Sequence, residues 1–159
     1  MLVSYHPVAT ERVLALAKPL AEPGVKLALR FHPATKWQAF GHLLPVNDTL
    51  AGGPIQSARE GSSLVVGAGS GTLAEAVCMG LPVIAVEPKD GTGLNYLPDY
   101  GKGELWDSVS GPEEFFPARD RLLEVLAAEP VRRQERCNAF RGLMFTKPTE
   151  EMVVQAFEF

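Results

Sequence analysis

Residues 67–72, the glycine turn, have the sequence Gly-Ala-Gly-Ser-Gly-Thr, which combines residue types that bind an anion through the main chain. Glycine allows positive φ and lets a ligand approach the backbone closely. The hydroxyl of Ser70 or Thr72 can cap a helix that starts here, so that the first amides of the helix point outward. Such amides favour an anion, most often a phosphate. The predicted phosphate-binding residues are Gly69, Ser70, Gly71 and Thr72.

A purely structural interpretation of the glycine turn stays open. Its spacing lacks the last glycine of the dinucleotide fingerprint, and the Gly-Lys-Ser/Thr of a P-loop is absent. The glycines would then make a tight turn, and Ser70 would only cap a helix. Glu75 follows Thr72 by three residues, which is the spacing of a capping box with Thr72 as the N-cap.

The glycine turn connects a predicted strand to a predicted helix. Residues 64–66 form a short apolar run, typical of a strand that is buried on both faces. After the turn, apolar residues recur at helical spacing over 73–79, and Gly80 ends the helix. A second buried run follows at 83–86. This order predicts a strand, helix and strand with a right-handed crossover, the unit from which parallel sheets are built.

Two further groups follow predicted strands. Residues 25–31 predict a strand that ends at His32, and ligands of open α/β sheets gather at the carboxyl ends of strands. His32 could therefore donate a hydrogen bond to a phosphate oxygen or carry partial positive charge beside it. The alternative is a ring that hydrogen-bonds a loop carbonyl next to Pro33.

The loop of residues 87–96, after the strand at 83–86, is polar and contains glycines. A loop at a strand's carboxyl end is well placed to cover a ligand. Glu87 could accept a hydrogen bond from a ribose hydroxyl, and Asn95 or Tyr96 could line the pocket. The alternative is a plain surface connection, which we favour for Tyr96 and leave open for Glu87.

The remaining elements complete an α/β pattern. In chain order they are a strand at 2–5, a helix from the N-cap Thr10 towards Pro23, a short helix at 36–40, a weaker edge strand at 43–46, a helical turn at 54–59, a strand at 105–109, and helices from 112 (interrupted at Pro117), over 131–143 and over 149–157. We therefore predict one Rossmann-like domain over 1–159: a three-layer parallel sheet flanked by helices, with the C-terminal helices from about 112 packed on it.

Two motifs resemble known families. Residues 70–76, Ser-Gly-Thr-Leu-Ala-Glu-Ala, with Gly-Leu-Pro-Val-Ile at 80–84, resemble a segment in the C-terminal domain of GT-B glycosyltransferases and of related UDP-N-acetylglucosamine 2-epimerases. There a Ser-Gly-x-x-x-Glu-Ala turn and helix hold the diphosphate of a nucleotide sugar. Residues 29–33, Leu-Arg-Phe-His-Pro, are similar to a strand-end His-Pro of glycosyltransferases that build capsules, teichoic acids and polysialic acid.

The resemblance implies half of a GT-B fold that binds a UDP-, CMP- or CDP-linked sugar and transfers the sugar without a metal or other cofactor. It assigns the diphosphate to residues 69–72 and His32, and it gives Glu75 a supporting role in the turn. In GT-B enzymes the acceptor site and usually the catalytic base belong to an N-terminal domain, so no catalytic residue is assigned here. Three explanations are open for the N-terminal domain. The sequence is a fragment that lacks it, the domain is a separate polypeptide, or the present chain is a free-standing domain with a different task.

Other functions remain open on the same residues. The chain could be a non-catalytic nucleotide-binding or protein-interaction module with the same fold. It could also be half of a nucleotide-sugar 2-epimerase, although the catalytic acids of those enzymes have no counterpart here. A third alternative is a flavodoxin-like domain for another phosphorylated ligand.

Composition narrows the class of protein. Of 159 residues, 46% are hydrophobic and 21% are charged, which is typical of a globular chain. A net charge of −4 argues against non-specific binding to nucleic acid or an anionic membrane. No apolar run reaches the roughly 20 residues of a membrane span, and the N-terminus does not resemble a signal peptide. We expect a cytoplasmic location.

Cysteine and arginine usage give two further expectations. The two cysteines, Cys78 and Cys137, form neither a CxxC motif nor a disulfide framework, and no His/Cys cluster predicts a metal site. Four arginines lie in one predicted helix between glutamates, which favours a solvated face over a phosphate or membrane patch. They are Arg132, Arg133, Arg136 and Arg141.

Overall fold

Short parallel strands form the centre of the molecule. The computed structural model describes residues 2–3, 6–20, 25–44, 49–50, 61–90, 92–147, 149 and 152. Within these residues the strands are β1 (Leu2–Val3), β2 (Ala28–Phe31), β3 (Thr49–Leu50), β4 (Val65–Gly67), β5 (Val83–Val86) and β6 (Trp106–Val109). They form a six-stranded sheet in the order β3-β2-β1-β4-β5-β6, and every pair is parallel. This is the strand order of doubly wound Rossmann folds.

Helices connect these strands. They are α1 (Pro7–Leu20), a 3-10 helix (Trp37–Leu43), α2 (Thr72–Cys78), α3 (Pro112–Ala128) and α4 (Pro130–Met144). Only Glu129 separates α3 from α4. Every helix in the described part of the chain is too short or too polar to cross a bilayer.

Two apolar clusters lie on opposite faces of the sheet, because successive residues of a strand point to opposite sides. On one face, Val66 and Ile84 pack with residues of α1, the 3-10 helix and α3. On the other face, Val65, Val83 and Ala85 pack with residues of α2 and α4. The central strands are thus buried on both sides, and the predicted three-layer, Rossmann-like parallel sheet is confirmed.

Proline accounts for two differences from the predicted helices. Helix α1 begins at Pro7, three residues before the predicted N-cap Thr10, because proline fits the first position of a helix, where its missing N–H costs no hydrogen bond. Thr10 is instead fully buried inside α1. The predicted interruption at Pro117 is wrong: α3 continues through this exposed proline, which is the sixth residue of the helix.

The predicted third strand at 43–46 is wrong at its start. Leu43 ends the 3-10 helix, and the strand that pairs with β2 is Thr49–Leu50. This strand does lie at the edge of the sheet, as predicted for the third strand. Residues 45–46, the helical turn predicted at 54–59 and most of the helix predicted at 149–157 lie outside the described residues.

The carboxyl end of α2 is closed by its own main chain. Gly80 has φ +82°, the left-handed conformation that glycine adopts without strain. Its amide donates to the carbonyl of Val77 at 2.9 Å, and the amide of Leu81 donates to that of Ala76 at 3.1 Å. This pair of bonds is a Schellman motif. Gly80 therefore ends the helix as the sequence predicts.

Two arginines of α4 bind carbonyls at this same end of α2. The side chain of Arg133 donates from Nε and Nη2 to the carbonyl of Gly80, at 3.4 and 3.3 Å, and from Nη1 to that of Glu104, at 2.8 Å. Arg141 donates from Nη2 to the carbonyl of Cys78. These contacts join α2 and α4, which lie on the same face of the sheet.

The prediction of a solvated arginine face is therefore wrong for Arg133. This residue is only 4% exposed, and burial lowers the pKa of its guanidinium. Arg132 and Arg136 form ion pairs of 2.8 Å with Glu129 and Glu104, respectively. The burial of Arg133 could not be predicted because its carbonyl partners are 53 and 29 residues away along the chain.

The two-sided core predicts very different effects of one substitution at two sites. Val83→Ala removes a side chain that is fully buried, and we expect the free energy of unfolding to fall by about 2–3 kcal/mol. Val131→Ala is the matched control, because Val131 is 73% exposed, and it should change stability by less than about 0.5 kcal/mol. Urea denaturation measures both. Equal losses would contradict the assignment of Val83 to the core.

Candidate functional site

The glycine turn lies where the strand order of the sheet reverses. Strand β1 pairs with β2 on one side and with β4 on the other, and Leu2 is opposite both Arg30 and Gly67. Open α/β sheets bind ligands outside the carboxyl ends of the strands at such a reversal. Because the glycine turn follows β4 directly, it lies beside this crevice.

His32 lies at the same end of the sheet, where the strands have their carboxyl ends. It follows β2, and β1 lies between β2 and β4. Neighbouring strands are about 4.8 Å apart, so β2 and β4, which precede His32 and the glycine turn, are about 10 Å apart across β1. The structure thus brings both predicted groups to one edge, with β1 between them.

Gly69 and the two hydroxyls shape the turn. Gly69 has φ +51°, and a side chain built on it would meet the carbonyl oxygen of Leu94 at 3.5 Å. The hydroxyl oxygens of Ser70 and Thr72 are 2.6 Å apart and share a hydrogen bond. The amide of Thr72 donates to Ser70 Oγ over a longer 3.4 Å. The turn is therefore held by its own side chains and is bordered by the loop after β5.

The predicted capping box is not formed. Helix α2 has Gly71 as its N-cap, with the helical angles φ −59° and ψ −22°, and Thr72 is the first residue inside the helix. Because Gly71 is already helical, Thr72 cannot serve as the N-cap. Glu75 lies in the first turn, partly buried, where a carboxylate is favoured by the helix dipole.

The amides available to a ligand differ from those expected. The amides of Leu73 and Ala74 donate to the carbonyls of Ser70 and Gly71, each at 3.1 Å, so the first turn of α2 uses its own donors. Within the described residues, no acceptor binds the amides of Gly69, Ser70 and Gly71. Consecutive amides in a turn that combines left- and right-handed conformations form an anion-binding nest. The donors thus belong to the turn and not to the helix.

The ring of His32 is oriented by the turn that follows it. His32 is exposed, and its Nδ1 accepts a hydrogen bond of 3.1 Å from the amide of Ala34. The partner is therefore an amide, whereas the structural alternative anticipated a carbonyl. Since Nδ1 is an acceptor, the neutral ring carries its proton on Nε2. In this form Nε2 is the hydrogen-bond donor of the ring.

Glu87 and Asn95, two predicted pocket residues, are bonded to each other. Asn95 donates from Nδ2 to Glu87 Oε1, and its Oδ1 accepts from the amide of Leu97 at 2.9 Å. Both ends of the Asn95 side chain are thus used within the loop. The pairing could not be predicted from residue types, because it depends on how eight residues of loop fold.

Other contacts make the same loop compact. A side chain on Gly93 would lie 2.4 Å from Pro88 Cδ, so only glycine fits there. Asp90 accepts from the amide and the hydroxyl of Thr92, at 3.1 and 2.8 Å, and these bonds lower the pKa of its carboxyl group. Tyr96, 51% exposed, projects from this loop.

Comparison with known proteins supports the fold. No family model matches the sequence, and no curated protein matches it. Among solved structures, the chain is similar to the crystal structure of TarM, a GT-B glycosyltransferase, with a TM-score of 0.56 and 18% sequence identity. The match covers 98% of this chain and 34% of that chain. The chain therefore has the fold of a Rossmann-like half of a GT-B structure and spans about a third of the length of TarM.

The hydrogen bonds of the Asn95 side chain give a test of whether this residue orders the loop. Asn95→Ala removes the acceptor for the Leu97 amide, and a net loss of about 1 kcal/mol should speed hydrogen exchange of that amide about fivefold. Leu94→Ala is the control, since Leu94 is 72% exposed and only its main chain borders the turn. Exchange followed by NMR measures both variants. Similar rates in the two would show that Asn95 does not order the loop.

Proposed function

We propose that this chain is the nucleotide-sugar-binding half of a GT-B glycosyltransferase. The observation that carries the proposal is the run of amides at Gly69, Ser70 and Gly71, beside the strand-order reversal of a GT-B-like sheet. Protein donors must supply the positive potential locally, because the chain as a whole carries a net charge of −4. A diphosphate matches this set of closely spaced donors.

Each site residue has a defined role in this proposal. The amides of residues 69–71 bind phosphate oxygens. The hydrogen bond between the hydroxyls of Ser70 and Thr72 uses one of their two protons, and the other hydroxyl proton is donated to the phosphate. His32, which follows β2, is assigned to the same diphosphate from the other side of β1. Glu75 supports α2. Glu87 and Asn95 hold the loop that borders the ligand, with Glu87 also available to a ribose hydroxyl.

This arrangement acts on the leaving group of the transfer reaction. When the bond between the sugar and the nucleotide breaks, negative charge develops on the diphosphate. Fixed amides and hydroxyls that already point at the phosphates stabilise this charge without having to reorganise. The same amides and hydroxyls also bind the nucleotide sugar before the reaction. They therefore increase the rate only to the extent that their hydrogen bonds become stronger as negative charge develops on the diphosphate.

The acceptor site and the catalytic base are assigned to a second domain, on the same or another chain. The carboxyl edge of the sheet would face it, with the nucleotide sugar between the two. We place the protein in the cytoplasm, where free buried thiols such as Cys78 and Cys137 stay reduced. A teichoic acid or other cell-surface polysaccharide is the proposed class of product.

Titration with nucleotides tests the proposal directly. We expect UDP, CMP or CDP to shift the NMR amide signals of residues 69–72, and the signals of His32 to move in the same titration. Calorimetry on the same samples gives the affinity. If none of the three shifts these signals at millimolar concentration, the glycosyltransferase proposal is wrong, and a protein-interaction module with this fold becomes the better assignment.

A methyl group on Gly71 separates ligand contact from folding. Gly71 has a negative φ, and a side chain built there meets no atom within 4 Å, so Gly71→Ala introduces no clash. Because alanine is a poorer N-cap than glycine, we expect the free energy of unfolding to fall by no more than about 1 kcal/mol. The methyl should block one amide from the phosphate and weaken diphosphate binding about tenfold or more. Gly142→Ala in α4 is matched, since it also meets no atom within 4 Å, and should bind normally. Unchanged binding by both variants would remove the turn from the site.

A further inference from the structure

We propose that Arg133 and Arg141 strengthen the binding of an anionic ligand at the glycine turn, which neither of them touches. This inference rests on the function proposed above. The two arginines are not catalytic residues; they are positioning residues that act through α2. They bind carbonyls at its carboxyl end, while the glycine turn leads into its other end.

The short length of α2 makes its carboxyl end matter to the turn. A helix of seven residues is about 10 Å long, so its two poles are close together. The carboxyl pole is negative and opposes an anion at the turn. Guanidinium groups on the carbonyls of Cys78 and Gly80 neutralise that pole. The potential at the glycine turn therefore becomes more positive than α2 alone would give.

The two arginines that bind α2 differ from the other two in their ion pairs. In the described part of the chain, carboxylates form ion pairs with Arg132 and Arg136 but not with Arg133 or Arg141. Arg133 is 4% exposed, and the field of a buried charge is screened by salt less than that of a surface charge. Of the four arginines on α4, the two that bind α2 are thus the two that pair with no described carboxylate, and Arg133 is the less screened of them.

A buried cation at position 133 has a desolvation cost that its hydrogen bonds must offset. Taking a charge out of water is expensive, and apolar side chains of similar volume often hold a protein core at lower cost. Arg133 stays buried with main-chain carbonyls as its partners. The charge itself is therefore the property to test, separately from the contact that it makes.

The expected size of the effect is moderate. The carboxyl end of α2 is about 15 Å from the glycine turn, and at an effective dielectric constant of about 20 one unit charge at that distance changes the affinity for a singly charged group about sixfold. Screening reduces this figure, and a second ligand charge raises it. At an ionic strength of about 0.01 M, where the Debye length is about 30 Å, we expect each arginine to change the affinity for UDP about three- to tenfold; the exposed Arg141 should lose most of its effect at physiological salt.

The experiment compares ligands that differ in charge. Dissociation constants for UDP, UMP and uridine are measured by NMR titration on the wild type, Arg141→Gln and Arg133→Met, with cytidine compounds used instead if the wild type prefers them. We expect the loss to be largest for UDP, smaller for UMP and absent for uridine. Arg141→Lys keeps the charge and should bind UDP within about twofold of the wild type.

Arg119→Gln is the control for net charge. Arg119 lies on α3, which packs on the opposite face of the sheet, and it pairs with Asp120 at 2.8 Å. Its loss changes the net charge as much as the loss of Arg141 but leaves α2 untouched, so UDP affinity should stay within about twofold of the wild type.

The outcomes separate this inference from the proposed function. Equal losses for UDP and uridine would mean that the arginines only hold the structure, and unchanged UDP affinity would mean that they do not act on the turn; either result overturns the inference alone. If the wild type binds none of the nucleotides, both the proposed function and this inference are wrong. Should Arg133→Met not fold, the exposed Arg141 decides the question.

Discussion

The position of β1 between β2 and β4 is the constraint on which the candidate site depends. Because all three strands run in parallel, the residues that follow β2 and β4 emerge at one edge of the sheet. The order of the strands reverses beside β1, so the connecting segments diverge there and leave a crevice. The pairing of β1 with both strands thus brings the glycine turn and His32 to the same end of the sheet.

Apolar patterning and glycine were sufficient to predict most of the fold. The runs at 64–66 and 83–86 predicted buried strands, and Gly80 predicted the end of α2, because these signals depend on neighbours in sequence. The start of α1 was misplaced because Pro7 either breaks or begins a helix, and local sequence does not distinguish the two. The third strand was misplaced for a similar reason: its pairing with β2 was not visible in the residues themselves.

The site was predictable in its location but not in its hydrogen bonds. The residue types of the glycine turn indicated an anion site supplied by the first amides of the helix. Among the described residues, however, the amides without an acceptor are those of residues 69–71, which precede the helix. The difference follows from the backbone angles of Gly71, which a sequence does not specify. The Glu87–Asn95 pair and the burial of Arg133 likewise depend on tertiary contacts between distant segments.

The single residue between α3 and α4 couples the two sides of the molecule. Helix α3 packs in one apolar cluster and α4 in the other. Because Glu129 is the one residue between them, neither helix can separate from the sheet without moving the other. Unfolding of one helix therefore disturbs the packing of the other helix on the opposite face of the sheet. This linkage favours melting of both layers in a single cooperative step over separate openings of the two sides.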